Sequence, residues 1–206
     1  MSSSISAVEF YFDPVCPWTW LTSRWLYSVA DQRGFIVKLR ALSLKLLNSD
    51  GGNEIPEKFR PGLEMSYRAL RLVEHLANHQ DFEASTKFYT ELGNRLFIEK
   101  ADPGDDLLQD ALKASSLTDL SNVLDDESCD QLIRTSHDLA IESAGPDIGS
   151  PVIRLEPDGT TIFGPILSPV PMADECLVIF DATLELARCS SFYELKRGRS
   201  GPPDFS

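Results

Sequence analysis

Cys16 is the residue best placed to do chemistry. It stands in the stretch Phe10-Tyr11-Phe12-Asp13-Pro14-Val15-Cys16-Pro17-Trp18-Thr19-Trp20. Before it, Val8, Phe10 and Phe12 alternate with Glu9, Tyr11 and Asp13, the period of a strand, and Asp13-Pro14 ends that strand. After it, Pro17 sits where a first helical turn tolerates proline, because that N–H has no intrahelical partner. A helix is expected over 17–33, closed by Gly34. Cys16 therefore falls between a strand and a helix N-terminus, where unpaired N–H groups and the macrodipole favour an anion. A thiol so placed loses its proton more readily, and the thiolate is the nucleophile. A lone cysteine is also commonly a small buried hydrophobe; strand, cysteine, proline and helix arriving together point to the reactive reading. Thr19, three residues on, has the right offset to donate a hydrogen bond to the sulfur. A neutral donor favours the thiolate by about 1 kcal/mol. The alternative is that Thr19 only packs in the first turn.

Cys129, Cys176 and Cys189 complete the cysteine count of four. Their spacing matches neither a zinc site nor a dense disulfide framework. Cys129 and Cys176 fall on apolar helical stripes and read as packed thiols, Cys189 lies near a helix end, and a distant resolving partner for Cys16 stays open. No metal site is expected: His75, His79 and His137 have no ligand spacing and read as surface residues. The three tryptophans, Trp18, Trp20 and Trp25, fall within eight residues. Trp18 and Trp25 share a helix face, which is ordinary core spacing. Trp18 also flanks the thiol, where an aromatic ring can stack on a planar electron-poor substrate such as a nitroheterocycle or quinone.

The chain has 206 residues, 42% hydrophobic and 25% charged, enough for a packed core. A net charge of −13 repels phosphate backbones and argues against nucleic-acid binding. No run approaches the ~20 apolar residues of a membrane span. The opening residues lack a basic and then an apolar segment, so a cytoplasmic location is expected, where structural disulfides are rare.

Around the cysteine, a second strand is expected over 35–44, followed by a loop rich in turn formers at 48–53. Long helices follow: one carries Leu63, Tyr67, Leu70, Val73 and Ala77, the next is capped by Asp81, a short one covers 107–114, and another covers 127–144. Two strands return at 151–155 and 161–163 around the turn Pro157-Asp158-Gly159, and a last helix covers 174–188. The order is βαβ, helices, ββα, an α/β chain. Residues 1–47 and 147–190 form one expected unit, 48–146 a helical insertion, and 191–206 a tail. Lys196, Arg197 and Arg199 in that tail offer a grip for an anion, although a solvated tail is the simpler expectation.

Cys16-Pro17-Trp18-Thr19 resembles the active-site tetrad of the thioredoxin superfamily, whose usual form is C-x-x-C. The Phe-Asp-Pro-Val-Cys-Pro-Trp opening, with Trp20 and Arg24-Trp25, resembles the DsbA-like branch, closest to actinobacterial mycothiol-dependent disulfide oxidoreductases and nitroreductases. The resemblance implies a thioredoxin fold with an all-helical insertion. Thr19 departs from it, standing where those enzymes carry the second cysteine. Such folds place a cis-proline loop beside the nucleophile, and Ser150-Pro151 stands where that loop belongs; its backbone would present an edge to a bound thiol. The resemblance adds Asn48, Asn94, Arg95, Phe163 and Gly164, with Pro17, Trp18 and Trp20, as groups that bind substrate or thiol, and Glu194-Leu195-Lys196-Arg197 in the tail. Asn94 and Arg95 equally suit a solvated helix face.

The implied activity is a thiol–disulfide oxidoreductase with a single nucleophilic cysteine and a low-molecular-weight thiol, mycothiol or glutathione, as co-substrate. It would reduce mixed disulfides, or nitro and quinone compounds. Two alternatives remain: a thiol transferase or isomerase like kappa-class glutathione transferases, which carry serine at the nucleophile position, and a non-catalytic binding module. Monomer and homodimer both remain open.

Overall fold

In the computed structural model, residues 5–52 and 54–206 are described; residues 1–4 of the opening segment and Asn53 of the expected loop lie outside them. Four strands form one sheet in the order β2-β1-β3-β4. β1 (Ala7–Phe12) lies at its centre, parallel to β2 (Ile36–Ala41), with Phe10 opposite Leu39. β3 (Val152–Glu156) runs antiparallel to β1, with Phe10 opposite Ile153, and β4 (Thr161–Phe163) pairs antiparallel with β3. The alternation in β1 suggests one wet face, yet all six of its residues are buried. Val8, Phe10 and Phe12 join the main core, while Tyr11 packs with Leu42, Ala140 and Val152 on the other side. A central strand covered on both faces has no solvent side to show.

α1 (Pro17–Arg33) ends at Gly34, whose φ of 75° is the left-handed cap that glycine permits. The second strand stops at Ala41, three residues short of expectation, because Ser43 caps a new helix: its Oγ accepts the Leu46 N–H at 3.3 Å. α2 (Leu44–Asp50) thus absorbs Asn48, Ser49 and Asp50, which composition assigned to a loop. Their side chains bond back into the helix instead, Asn48 Nδ2 to the Leu44 carbonyl at 2.6 Å and Ser49 Oγ to that of Lys45 at 2.9 Å.

The helical region holds α3 (Arg60–Asn78), α4 (Phe82–Gly93), α5 (Asp105–Ser115) and α6 (Asp130–Ala144). Among the described residues, no strand falls between 60 and 143. Asp81 caps α4, its carboxylate accepting the Ala84 N–H at 3.1 Å. Beyond Gly93 the helix widens into one π turn, Asn94–Ile98. α6 begins later than its apolar pattern suggests, since Asp126 first caps a 3₁₀ turn, Glu127–Cys129. His137 is a correction: it is 1% exposed rather than on the surface, and burial lowers its pKa, favouring the neutral ring. His75 is half-buried and His79 exposed. α7 (Ala173–Ala187) packs on α1, where Trp25 Nε1 donates to the Cys176 carbonyl at 3.0 Å and the Trp25 ring meets Phe180.

Contacts to β2 and to α1 fix the helical region to the rest of the chain. Glu74 of α3, buried, accepts the Ala41 N–H at 2.6 Å and Arg40 Nη2 at 3.0 Å. Arg24 of α1 reaches Thr90 Oγ1 of α4 at 3.0 Å while its guanidinium lies 3.8 Å over the Trp20 ring. Trp20 itself packs edge-on against Tyr89, with ring centroids 5.4 Å apart.

Candidate active site

The strand-to-helix junction delivers Cys16 as the N-cap of α1, in extended backbone (φ −78°, ψ 112°), with Pro17 at N1. Its carbonyl accepts the Trp20 N–H, the first bond of the helix, at 3.1 Å. Asp13, buried, shapes the turn before it. That carboxylate accepts the Val15 N–H at 3.0 Å, the Leu44 N–H at 2.7 Å and the Ser66 hydroxyl. One side chain thus ties the end of β1 to α2 and α3.

Behind the sulfur runs a loop in which the Ser150–Pro151 peptide is cis. The Cys16 thiol donates to the Ser150 carbonyl at 3.8 Å, a weak bond. Thr19 Oγ1 lies 2.8 Å from Ser150 Oγ, which in turn accepts the Asp13 N–H at 3.1 Å. The Gly164 N–H donates to the Pro151 carbonyl at 2.9 Å, with Gly164 at φ 89°, a conformation suited to glycine, and Phe163 pairs with Val152 beside it. Ser150, Pro151, Phe163 and Gly164 therefore sit around one loop at Cys16.

The helix N-terminus does not win over Cys16 as the junction suggests. With 8% exposure, burial pushes its thiol above the ordinary cysteine value. The Thr19 side chain and the Thr19 and Trp18 N–H groups pull it down, while the Asp13 carboxylate pushes it further up. Loss of water around the sulfur outweighs the donors.

In front of Cys16 opens a cleft of about 640 Å³, the size of a small-molecule site. Cys16, Pro17, Trp18 and Asn48 line it together. Trp20 does not: it is 2% exposed and belongs to the core. Asn94 and Arg95 are also absent from its lining. Arg95 pairs with Glu91 at 2.6 Å along its own helix, and the Asn94 carbonyl accepts the Glu99 N–H. The π turn presents Leu96 and Phe97 to the cleft instead. Leu44, Phe59, Leu63 and Pro103 complete the apolar wall, and Lys58 is its one charged member. Apolar residues at helical spacing look the same in a core and in a cleft wall, so no sequence signal separated them.

The tail was expected to be solvated, and it folds back across this mouth. The Arg199 guanidinium lies 4.3 Å from the centre of the Trp18 ring, Phe205 stacks on Phe97 with centroids 5.5 Å apart, and the Asp204 N–H donates to Ser168 Oγ at 2.8 Å. Trp18 and Phe97 offer apolar faces that the tail covers. Removing residues 199–206 should raise the rate at which iodoacetamide labels Cys16 at fixed pH by about tenfold, the combined size of one cation–π and one aromatic contact. An unchanged rate would mean that the tail does not gate the thiol.

Among the described residues, no group of His, Cys, Asp and Glu is arranged to hold a metal ion, and no helix is long and apolar enough to cross a membrane.

A family model described as "Rv2466c-like: Mycothiol-dependent nitroreductase Rv2466c" matches residues 15–197. The chain is 27% identical over 202 residues to the uncharacterized protein Rv2286c of Mycobacterium tuberculosis, spanning 95% of this chain and 84% of that one. Among solved structures it is similar to ScsC of Proteus mirabilis (TM-score 0.57, 14% identity, 90% of this chain and 69% of that one). It is also similar to the cytosolic disulfide reductase DsbM of Pseudomonas aeruginosa (TM-score 0.56, 16% identity, 87% and 99%), a protein also determined with GSH. At these identities the structural likeness establishes the fold, a DsbA-like thioredoxin fold.

Proposed function

Because this chain belongs to the Rv2466c-like family, described as mycothiol-dependent nitroreductases, we propose that it is a thiol-dependent oxidoreductase working through Cys16 as a single nucleophile. The observation that carries this reading is a lone thiol at the floor of an open, largely apolar cleft, with Thr19 where a second cysteine would stand. Cys129, Cys176 and Cys189 are free, and none of them lines the cleft.

The residues fit a small thiol in part. The Ser150 backbone beside the sulfur offers an edge for a peptide-like group, and Asn48 and Lys58 offer the polar groups of the wall. The rest of the wall is apolar and suits the non-thiol half of a disulfide, or a planar ring against Trp18. The small thiol supplies the reducing electrons.

Cys16, as thiolate, attacks one sulfur of a mixed disulfide. A bond forms between that sulfur and Sγ, the original S–S bond breaks, and the partner leaves as a thiolate. A second small thiol, as thiolate, then attacks the small-thiol sulfur of the Cys16 adduct: a new S–S bond joins the two small thiols, the bond to Sγ breaks, and Cys16 leaves as the thiolate. Thr19 takes no part in exchange, because a hydroxyl does not displace a disulfide; its share is to hold the charge on sulfur. A cytoplasmic site of action fits a reduced thiol pool.

Incubation with the mixed disulfides of mycothiol and of glutathione, followed by mass measurement of the Cys16 peptide, tests this. The expected product is Cys16 carrying one small thiol, and the better of the two donors names the co-substrate. A loss of two hydrogens, marking a disulfide from Cys16 to Cys129, Cys176 or Cys189, would overturn the single-thiol reading.

A further inference from the structure

Two cations stand at the Cys16 cleft with no acid to meet them. Among the described residues the cleft wall holds Lys58 and no carboxylate, in a chain whose net charge is −13. The Lys58 Nζ lies 4.8 Å from the centre of the Phe59 ring, and the Arg199 guanidinium lies 4.3 Å from that of Trp18. Both rings belong to the wall. Neither cation makes an ion pair among the described residues, whereas Lys45 is taken up by Glu64 and Arg95 by Glu91. A guanidinium that stacks on a ring uses its face and leaves its N–H fork for an oxyanion. An ammonium over a ring likewise keeps donors for a second partner. Apolar walls around charges of one sign focus their field into the cleft.

We propose that this mouth is an anion subsite: Lys58 and Arg199, each seated on an aromatic ring of the wall, hold an acidic group on one half of a disulfide whose sulfur faces Cys16. The substrate class is a disulfide with a carboxylate on an apolar or planar half. The proposal rests on the reading of Cys16 as nucleophile and names what that nucleophile takes. The planar half lies along the apolar wall beside Trp18, and the carboxylate reaches the two cations at the rim. In the exchange, the Cys16 thiolate attacks one sulfur, a bond to Sγ forms, the original S–S bond breaks, and the other half leaves as a thiolate. Lys58 and Arg199 transfer neither electrons nor protons; they bind. The tail thereby supplies one of the two cations of the site.

The test compares iodoacetate with iodoacetamide, reagents of like size that differ by one charge, at a single pH. Labelling is read on the Cys16 peptide by mass spectrometry so that exposed Cys189 does not contribute. The ratio of the two rates cancels the thiolate fraction and any change in access. Lys58→Gln and Arg199→Gln should each lower that ratio by about threefold, the scale of one exposed charge pair, and Lys58→Arg should retain it. Salt at about 1 M, which screens charges beyond about 3 Å, should erase the difference. Lys45→Gln removes a cation that does not line the cleft and should leave the ratio at its wild-type value. In exchange, bis(nitrobenzoate) disulfide should lose kcat/KM through KM in both glutamine variants, relative to uncharged bis(nitropyridyl) disulfide. An unmoved labelling ratio in either glutamine variant, or an equal fall in Lys45→Gln, would overturn the subsite. The ratio does not depend on turnover, so failure of the nucleophile reading is distinct: Cys16→Ser would then retain thiol–disulfide exchange, whatever the ratio shows.

Discussion

Cys16→Ser is expected to lose thiol–disulfide exchange by on the order of 10³-fold or more while keeping its fold. The hydroxyl is close in shape to the thiol, and the site is held by Asp13, Ser43 and the α1 backbone rather than by the sulfur, so stability should change by no more than about 1 kcal/mol. What disappears is the one sulfur that lines the cleft among the described residues. Cys189 is exposed and remains in the variant, so any surviving exchange would assign the chemistry to it. Thr19→Cys gives the complementary result. A second thiol three residues along the helix can attack a disulfide on Cys16 from within, so the small-thiol adduct should no longer accumulate and an internal disulfide should replace it. The variant also removes the Thr19 hydroxyl from Ser150, so its Cys16 loses one source of support as it gains a partner. Persistence of the adduct in a folded Thr19→Cys protein would show that the helix does not bring position 19 to the sulfur.

Gly93→Ala should destabilise the protein by about 3 kcal/mol, at the upper end of the cost of overpacking a core. Helix propensity alone points the other way, since alanine in a helix is better than glycine by roughly 0.5–1 kcal/mol. The sign is reversed by Trp20: a Cβ at position 93 would fall within 3.0 Å of three carbons of its ring. That ring cannot step aside. Tyr89 meets it edge-on, Phe97 tilts against it, and Arg24 lies over its face. For a chain of this length, a loss of that size lowers the melting temperature by roughly 6–12 °C. Trp20→Phe in the same chain shortens the ring and should recover part of it. A Gly93→Ala protein as stable as the wild type would mean that α1 and α4 do not approach as closely as described. Because Phe97 both touches Trp20 and lines the cleft, the variant should also weaken ligand binding, without Gly93 touching any ligand.

The elements were legible because each carried a local cause. Pro17 and Gly34 bracket α1, Asp81 caps α4, and Pro157-Asp158-Gly159 turns β3 into β4. The place of Cys16 was legible for the same reason, since it follows from where a strand must stop and a helix begin. The misplaced pieces had causes that composition does not show. Residues 48–50 look like loop by composition, yet become helix because Ser43 and the Asp13 carboxylate satisfy the first turn of α2. Trp20 looks like a site residue beside the tetrad, yet the notch at Gly93 draws it into the core. Asn94 and Arg95 look like cleft residues, yet the π turn turns Leu96 and Phe97 to the cleft in their place.

By itself, the sequence determined the fold class, the βαβ, helices, ββα order and the place of Cys16 between strand and helix, because periodicity, caps and turn residues act over a few positions. The tertiary structure alone decided how that thiol behaves and what reaches it. Its ionisation is set first by burial, which outweighs the donors of its own helix turn, and the thiol meets the carbonyl of Ser150, 134 residues away. Beside it, the tail lays Arg199 on Trp18 and Phe205 on Phe97, two residues of the cleft wall. Desolvation and contact depend on what the chain brings together in space, and local patterning carries no record of it.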